Sequence, residues 1–362
     1  MLEGLRRLGL GLLLICAAAA VLLYTDRGAR QSARHARPKD RPLRIALVQH
    51  TTLGALDDGA QGTVERLAER GFRDGERIQI ARFNAEGDLG TANTIAKAVT
   101  GGDYDLIISI STPSLQTIAN ANRSGSRTRH VFGVVTDPTA AGVGINPENP
   151  AEHPPYMTGY GSMQPVEKIF ETARRMNPGL QRVGLVWNAA EANSLAQTKL
   201  ARKVTAEMGI ELVEANAENA TAVIEAAASL LSRGIDALWI SGDITVSSAS
   251  EALIASARRA RVPVFSSIPP RINQGAIFDL GCDFIDLGHT VGDLAAQILE
   301  GTDPATIPVR NYVPIRFLYN ETVLSNLKGP WTIPGDLKAT AAGWITRTST
   351  NLAAPAAHEP RR

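Results

Sequence analysis

Short apolar strands alternate with amphipathic helices along most of this sequence, and that alternation limits the folds it can adopt. Leu106–Ile110 is a β-branched apolar run, too short for a helix and bounded by polar residues, which predicts a buried strand of a parallel sheet. Ser111 and Thr112 then offer N-cap oxygens, and Pro113 suits the first turn of a helix because it lacks an N–H. Repeated strand and helix units of this kind predict an α/β fold with parallel sheets and right-handed crossovers.

The same pattern divides the chain into two half-length units. The first unit has predicted strands at residues 43–49, 77–83, 106–110 and 131–135, and helices at 59–70 and 91–100. The second has predicted helices at 166–176, 195–208, 221–231, 249–259 and 284–300, and strands at 183–187, 210–214, 235–241, 262–266 and 276–280. Because the two units have matching layouts, we expect a ligand in the cleft between them.

Strand ends supply the candidate site, because ligands of open α/β sheets bind beyond the carboxyl ends of the strands. His50 and Thr51 follow the first strand. The helix N-termini near Ser114 and Ser194 present free backbone N–H groups and a partial positive charge, which suit a carboxylate. Ser194 and Gln197 have the spacing of a capping box.

Two aspartates at strand ends suit a ligand's positive charge. Asp243 follows a strand, and Ser248, spaced as a capping box with Glu251, is expected to cap the next helix. The Asp243 carboxylate would then face the cleft and bind an ammonium. Asp137 fits the same role or a plain turn, and Asn188 fits either a ligand contact or a local Asx turn. Together these groups predict a small zwitterionic ligand.

Composition and motifs argue against several classes of function. The 362 residues carry a formal net charge of +1, so no nucleic-acid partner is expected. The chain has no G-x-x-x-x-G-K, H-E-x-x-H, C-x-x-C or G-x-S-x-G motif. Nothing places a nucleophile, a base and an orienting group together. The chain is therefore predicted not to be an enzyme and to use no cofactor or metal.

The N-terminal segment points to a membrane. Residues 8–24 form an uninterrupted apolar run behind Arg6 and Arg7, longer than a typical signal core and near the lower limit for a spanning helix. A cleavable export signal and an uncleaved anchor both fit. Residues 25–42 contain several arginines without apolar periodicity and are predicted to be a flexible basic linker.

Eight segments between about residues 43 and 334 carry a family resemblance. They are GFRDGERIQI (71–80), FNAEGDLGTANTIAKAV (83–99), DLIISISTPSLQ (105–116), VFGVVTDP (131–138), MTGYGS (157–162), VGLVWNAAEANSLAQ (183–197), DALWISGDITVSS (236–248) and GHTVGDLAAQILEGTDPATIPV (288–309). In this order and spacing, they resemble the periplasmic substrate-binding proteins of ABC transporters, in the branch of the tryptophan and tyrosine binders.

The resemblance implies a class I periplasmic binding protein fold, in which two Rossmann-like lobes with parallel sheets are joined by a three-crossing hinge. The crossings would lie near Met157, Phe284 and Tyr312. The predicted segments are a signal or anchor at 1–24, a basic linker at 25–42, lobe 1 at 43–158 and 284–312, lobe 2 at 159–283 and 313–340, and a C-terminal tail at 341–362.

The resemblance also implies how the ligand is held. Its carboxylate would meet the turns that begin at Thr112 and at Asn193, and its ammonium would meet Asp137 or Asp243. Asp279 stands where the family usually has a small residue, so we expect it to add a charge to the pocket wall.

The function implied is that of a receptor that closes its lobes around a small solute, an amino acid or similar zwitterion. It would deliver this solute to an ABC permease in the inner membrane, and would lie in the periplasm, either free or anchored by its N-terminal helix. A membrane-anchored sensory or interaction protein with the same fold is the alternative. An enzyme with an unrecognised site is a third.

Overall fold

Two β-sheets, each covered by helices on both faces, form the framework of the protein. The computed structural model describes residues 41–124 and 127–352. The strands are β1 Leu43–Gln49, β2 Ile78–Asn84, β3 Leu106–Ile110, β4 His130–Val135, β5 Met157–Gly161, β6 Arg182–Trp187, β7 Glu211–Asn216, β8 Ala237–Ile240, β9 Val264–Ser266, β10 Phe278–Cys282, β11 Arg310–Asn311, β12 Ile315–Asn320, β13 Gly343–Ile345 and β14 Thr350–Leu352. The α-helices are α1 Gly54–Glu69, α2 Leu89–Gly101, α3 Thr112–Ser124, α4 Val166–Met176, α5 Ala192–Glu207, α6 Ala220–Ser232, α7 Ile244–Ser248, α8 Ser250–Arg259, α9 Phe284–Leu299 and α10 Gly335–Thr340.

Each sheet is the centre of one lobe. The first has the strand order β11-β5-β4-β3-β1-β2, and its paired strands are parallel. The second has the order β14-β13-β12-β10-β9-β8-β6-β7, with antiparallel pairs at β10 with β12 and at β13 with β14. The predicted α/β architecture of two lobes built on parallel-dominated sheets is confirmed.

Five strands in each sheet share one topology. In chain order within each lobe they are arranged 2-1-3-4-5, as β2-β1-β3-β4-β5 and as β7-β6-β8-β9-β10. The connections change direction between β1 and β3 and between β6 and β8. In such sheets the ligand binds at this switch point, outside the carboxyl ends of the strands.

Both faces of each sheet are buried, which is why the strands are almost continuously apolar. Along β1, Ile45 and Leu47 belong to one hydrophobic cluster, whereas Ala46 and Val48 belong to another. The alternation follows from the two-residue period of a strand.

Helix α9 lies in the first lobe although the strand before it, β10, lies in the second. It contacts α1 through glycines: a Cβ at Gly62 would lie 2.3 Å from the Ile285 carbonyl oxygen, and one at Gly288 would lie 2.4 Å from that of Gly59. The chain therefore crosses between lobes after β5, after β10 and after β11. Because β5 continues to Gly161, the first sheet extends three residues beyond the predicted lobe boundary at 158.

The C-terminal segment is partly built into the second lobe. Strands β13 and β14 fall in the segment predicted as a tail, and β13 pairs with β12. Across residues 41–124 and 127–352, no helix is long and apolar enough to cross a membrane. The predicted signal or anchor at residues 8–24 lies outside the described residues.

Candidate functional site

A cavity lies between the lobes where the two switch points meet. Its empty volume is about 540 Å³, which includes space open to solvent. The first lobe lines it with Leu53, Ala55, Leu56, Ser111, Thr112, Val134, Thr136 and Phe284. The second lobe and hinge line it with Ser162, Gln164, Asn193, Gln197, Gly242, Asp243, Ile244, Ser247, Ile268 and Arg271.

Two residues of the first-lobe wall have unusual backbone conformations. Ser111 has φ 116° and Val134 has φ 55°. A positive φ is rare outside glycine, and for a β-branched residue such as Val134 it is a clear outlier. Strain of this kind clusters at ligand-binding sites. These two residues therefore support the hypothesis that this wall belongs to a binding site.

The N-terminus of α3 forms one edge of the cavity. Ser111 caps it, since the Ser114 N–H donates to its Oγ at 3.2 Å, as the sequence predicted. Thr112 is the first helical residue, and its buried hydroxyl has no hydrogen-bond partner in the described structure. Pro113 and Ser114 belong to the same turn but do not line the cavity. Thr112 is therefore the predicted site residue of this turn that lines the cavity.

The hydrogen bonds of the Asp243 carboxylate differ from the prediction. It borders the cavity, but its side chain is fully buried, and both carboxylate oxygens accept backbone hydrogen bonds. Oδ1 accepts from the Val246 N–H at 2.7 Å and Oδ2 from the Asn188 N–H at 2.6 Å. Asp243 itself therefore caps the short helix α7, whereas the Ser248 hydroxyl donates to the Thr245 carbonyl. The prediction that Ser248 caps the helix and leaves Asp243 unengaged is wrong, because an additional short helix, α7, begins directly after Asp243 and ends at Ser248.

Burial and the nearby charge of Glu191 raise the pKa of Asp243 to about 7, although hydrogen bonds from Ser194, Val246 and Asn188 oppose the rise. Glu191 also contacts α7. Its carboxylate accepts from the Ile244 and Thr245 N–H groups, each at 2.9 Å. Two carboxylates thus converge on one five-residue helix at the second-lobe switch point.

Asn193 places an unpaired acceptor at the cavity. Its Nδ2 donates to Glu191 Oε2 and to the Gly242 carbonyl, each at 2.9 Å, which uses both amide hydrogens. Its buried Oδ1 has no hydrogen-bond partner among the described residues. This arrangement suits a ligand donor, such as an ammonium, better than the carboxylate the sequence suggested.

The predicted capping box at Ser194 and Gln197 is wrong, because α5 already begins at Ala192 and both side chains point into the protein. Ser194 Oγ accepts from the Asn188 N–H at 3.2 Å. Gln197 Oε1 accepts from the Gly242 N–H at 2.9 Å, and its Nε2 reaches Thr136 Oγ1 of the first lobe at 3.5 Å. Gln197 therefore spans the cleft.

Other predicted site residues lie outside the cavity lining. Asn188 forms the local turn considered for it, since its Oδ1 accepts from the Ala190 N–H at 2.9 Å. Asp137 Oδ1 accepts from the Thr139 N–H at 2.9 Å, and Asp137 lines a separate cavity beside Arg310. His50 and Thr51 follow β1 as predicted but do not line the cleft cavity. Burial lowers the pKa of His50.

Asp279 lies behind the cavity wall and not on it. It is fully buried in β10, and its Oδ2 accepts from the backbone N–H groups of Arg271 and Ile272 at 2.6 and 2.8 Å. Burial raises its pKa to about 7. The expectation that Asp279 adds its own charge to the pocket surface is therefore wrong, because the backbone turn covers it.

Sequence reasoning missed Arg271, the cation on the cavity wall. Arg271 follows two prolines in a loop between strands, and nothing in that local pattern distinguishes it from a solvated loop arginine. Gln197 was also missed as a lining residue, although it stands near a predicted helix start. For residues 41–124 and 127–352, no group of three His, Cys, Asp or Glu side chains is placed to hold a metal ion.

Comparison with known proteins agrees with this architecture. Residues 44–342 match the family of ABC transporter substrate binding proteins. A tyrosine-binding protein of Clostridioides difficile (strain R20291) is 29% identical over 281 residues, which are 78% of this chain and 79% of that protein.

Two solved structures share the fold. A conserved domain protein from Vibrio cholerae O1 biovar El Tor has a TM-score of 0.78 and 30% identity, covering 84% of this chain and 100% of that one. An ABC domain from Streptococcus pneumonia, in complex with L-Trp, has a TM-score of 0.77 and 23% identity with the same coverage. The resemblance noted in the sequence and the class I periplasmic binding protein fold are thereby confirmed. The chain belongs to the ABC transporter substrate-binding protein family.

Proposed function

We propose that this protein binds an amino acid or a similar small zwitterion between its two lobes and delivers it to an ABC permease in the inner membrane. The observation that carries the proposal is the cavity at the two switch points, whose lining includes Thr112 and Asn193. Thr112 Oγ1 and Asn193 Oδ1 are buried polar atoms that have no hydrogen-bond partner among the described residues. Buried polar groups are normally hydrogen-bonded. A polar ligand in the cavity would satisfy both.

The lining has the mixed character that an amino acid requires. Leu53, Val134 and Phe284 form an apolar surface for a side chain. Asn193 Oδ1 offers an acceptor for the ammonium, with Asp243 directly below the surface. The tyrosine-binding relative and the L-Trp complex support an aromatic amino acid as the first ligand to test.

Closure of the lobes is part of the proposal. Three chain crossings connect the lobes, and the contact between Gln197 and Thr136 bridges the cleft. Hinge closure around a ligand is a recurring motion of two-lobed binding proteins. The radius of gyration of the protein in solution should therefore decrease on ligand binding. A scattering profile that stays unchanged at saturating ligand would contradict closure.

Titration calorimetry of the full-length chain against the twenty amino acids and their N-acetylated forms tests the ligand class. We expect at least one amino acid to bind with one-to-one stoichiometry and its N-acetylated form to bind far more weakly, because acetylation removes the ammonium. If no amino acid binds, or if acetylation makes no difference, the zwitterion proposal is contradicted.

The transport role and the membrane attachment need separate tests. Cells that lack this protein should lose high-affinity uptake of the ligand that calorimetry identifies. Unchanged uptake would contradict the transport role and favour the sensory alternative. We propose that residues 8–24 hold the protein at the membrane, and recovery of a soluble mature chain that begins near Gln31 would instead mean a cleaved signal.

A further inference from the structure

Arg271 contributes a positive charge to the cavity wall, and its backbone is firmly held. It lies in the turn between β9 and β10 and lines the cavity. The Arg271 N–H donates to Asp279 Oδ2 at 2.6 Å, and the next N–H, of Ile272, donates to the same oxygen at 2.8 Å. Asp279 thus fixes the turn that presents the arginine side chain to the cleft.

The guanidinium of Arg271 interacts electrostatically with Asp279 but forms no hydrogen bond to its carboxylate. No hydrogen bond or ion pair to this group is found among the described residues, and its Nε is buried without a partner. Burial lowers its pKa, and the charge of Asp279 opposes that change. An arginine stays charged in proteins, and Arg271 is partly buried, so its charge lacks part of the hydration that it has in water. The group is therefore placed to receive an anion from outside the chain.

The cavity wall itself cannot supply that anion. Apart from Arg271, Asp243 is the one ionisable residue among the described residues that line the cavity, and both of its oxygens already accept backbone N–H groups. Glu191 is likewise occupied by the N–H groups of Ile244 and Thr245. Arg271 is therefore the ionisable residue of the lining whose charged group has no hydrogen-bonding partner among the described residues.

We propose that Arg271 is the specificity-determining residue of the cleft and that the ligand carries a carboxylate held by its guanidinium. The planar guanidinium matches a carboxylate through two parallel hydrogen bonds. The apolar wall of Leu53 and Val134 would contact the rest of the ligand. This inference rests on the proposed function and adds that the carboxylate, rather than the ammonium, is the principal charged anchor.

The test compares Arg271→Gln and Arg271→Lys in the full-length chain, with Arg258→Gln as the matched control. Arg258 is an exposed arginine of the same lobe that does not line the cleft cavity. Three aromatic probes separate the two ligand charges: L-tryptophan carries both, L-tryptophanamide lacks the carboxylate, and indolepropionate lacks the ammonium. L-tyrosine, L-tyrosinamide and hydroxyphenylpropionate form a second set. Thermal melting without ligand verifies that each variant is folded.

Arg271→Gln should weaken binding of the carboxylate probes by about thirtyfold or more, the loss expected when one partner of a desolvated charge pair is removed. It should leave binding of the amides nearly unchanged. Arg271→Lys should give an intermediate loss, because it keeps the charge without the two-point geometry. Arg258→Gln should behave as the wild type.

The outcomes separate this inference from the proposed function. If an amino acid binds equally well to wild type and to Arg271→Gln, or if the amide binds as well as the acid, the inference is overturned and the proposed function stands. If indolepropionate or hydroxyphenylpropionate binds in an Arg271-dependent way while no amino acid binds, the inference stands and the zwitterion proposal falls. If no probe binds, both are overturned.

Discussion

The two lobes share one strand order but end in chemically different surfaces. At the first-lobe switch point, the side chains that reach the cavity are apolar or carry neutral hydroxyls, such as Leu53, Val134 and Thr112. At the second-lobe switch point, two carboxylates and one guanidinium lie on or just behind the wall, from Asp243, Asp279 and Arg271. We therefore expect the shared topology to determine where a ligand binds, and the differing side chains to determine which end of the ligand each lobe holds.

The difference extends to buried groups that titrate. In the second lobe, burial raises the pKa of Asp279 to about 7, so its protonated form is favoured by folding. In the first lobe, burial lowers the pKa of His130 to about 3, so its neutral form is favoured by folding. His130 Nε2 lies 2.7 Å from Ser109 Oγ, in a strand pair away from the cavity. The two lobes should therefore respond to pH in opposite directions.

The largest expected effect is this opposite dependence of local stability on pH. The stabilisation linked to Asp279 is complete below about pH 4 and is lost as the pH rises through about 7. The loss of folding stability that is linked to His130 grows as the pH falls from 6.5 toward about 3. Between pH 5 and 8, each group should change local stability by about 2 to 3 kcal/mol, since one pKa unit corresponds to about 1.4 kcal/mol.

Hydrogen exchange resolved by lobe and corrected for intrinsic rates measures this effect. Strands of the second lobe should be less protected at pH 8 than at pH 5, and strands of the first lobe more protected. Asp279→Asn should flatten the response of the second lobe alone, and His130→Gln that of the first. If protection from exchange changes with pH in the same direction and to the same extent in both lobes, the expected difference between the lobes is contradicted.

Asp243→Ala should destabilise the ligand-free protein by about 2 kcal/mol, because it removes a helix cap, takes away the acceptor of the buried Val246 N–H and leaves the Asn188 N–H with Ser194 Oγ as its remaining acceptor. Urea unfolding measures this loss. Ser248→Ala is the control, since its exposed hydroxyl only bonds the Thr245 carbonyl, and we expect a change within about 0.5 kcal/mol. If Asp243→Ala leaves stability unchanged, the carboxylate does not have the structural role described.

Leu53→Ala tests the apolar wall of the first lobe. It should weaken binding of an aromatic amino acid by about 1 to 2 kcal/mol through lost apolar contact, measured by calorimetry. The ratio of affinities for the acid and its amide should stay constant, because Leu53 contacts neither charge. Leu89→Ala, at a site 60% exposed in the same lobe, is the control. If Leu53→Ala changes the ratio of affinities for the acid and its amide, the apolar and the charged ends of the ligand do not contact separate walls as described.

Thr112→Val should have the smallest effect, a loss of about 0.5 to 1.5 kcal/mol in ligand affinity from one neutral hydrogen bond. The stability of the ligand-free protein should stay the same or rise slightly, because the Thr112 hydroxyl bonds to none of the described residues. Calorimetry and thermal melting measure the two quantities. A stability loss without an affinity loss would show that the hydroxyl serves the fold and not the ligand.

The sequence predicted the fold well because periodicity reports burial. Helix α4 was predicted with its observed bounds, Val166–Met176, and strand β3 likewise, since each has one unambiguous apolar pattern. Helix starts were less predictable. Ser111 caps α3 as expected, but Ser194 and Ser248 share the same serine signal and cap no helix, because tertiary hydrogen bonds engage them elsewhere.

The site was predicted at the level of strand ends and not of side chains. Thr112, Asn193 and Asp243 were expected at the cleft and line the cavity. Arg271 could not be found, because its place depends on a turn held by Asp279, eight residues later in the sequence. The spacing of residue types around Arg271 in the sequence does not indicate such a contact.

We expect the ligand to lie between the two switch points with its polar end toward the second lobe. A crystal structure of the full-length chain with its tightest-binding amino acid tests this most directly. We expect the ligand between Thr112 and Asn193, its carboxylate against Arg271 and its side chain against Leu53 and Val134. A ligand bound instead in the separate cavity beside Asp137 and Arg310, or bound in the cleft with its carboxylate turned away from Arg271, would contradict the account.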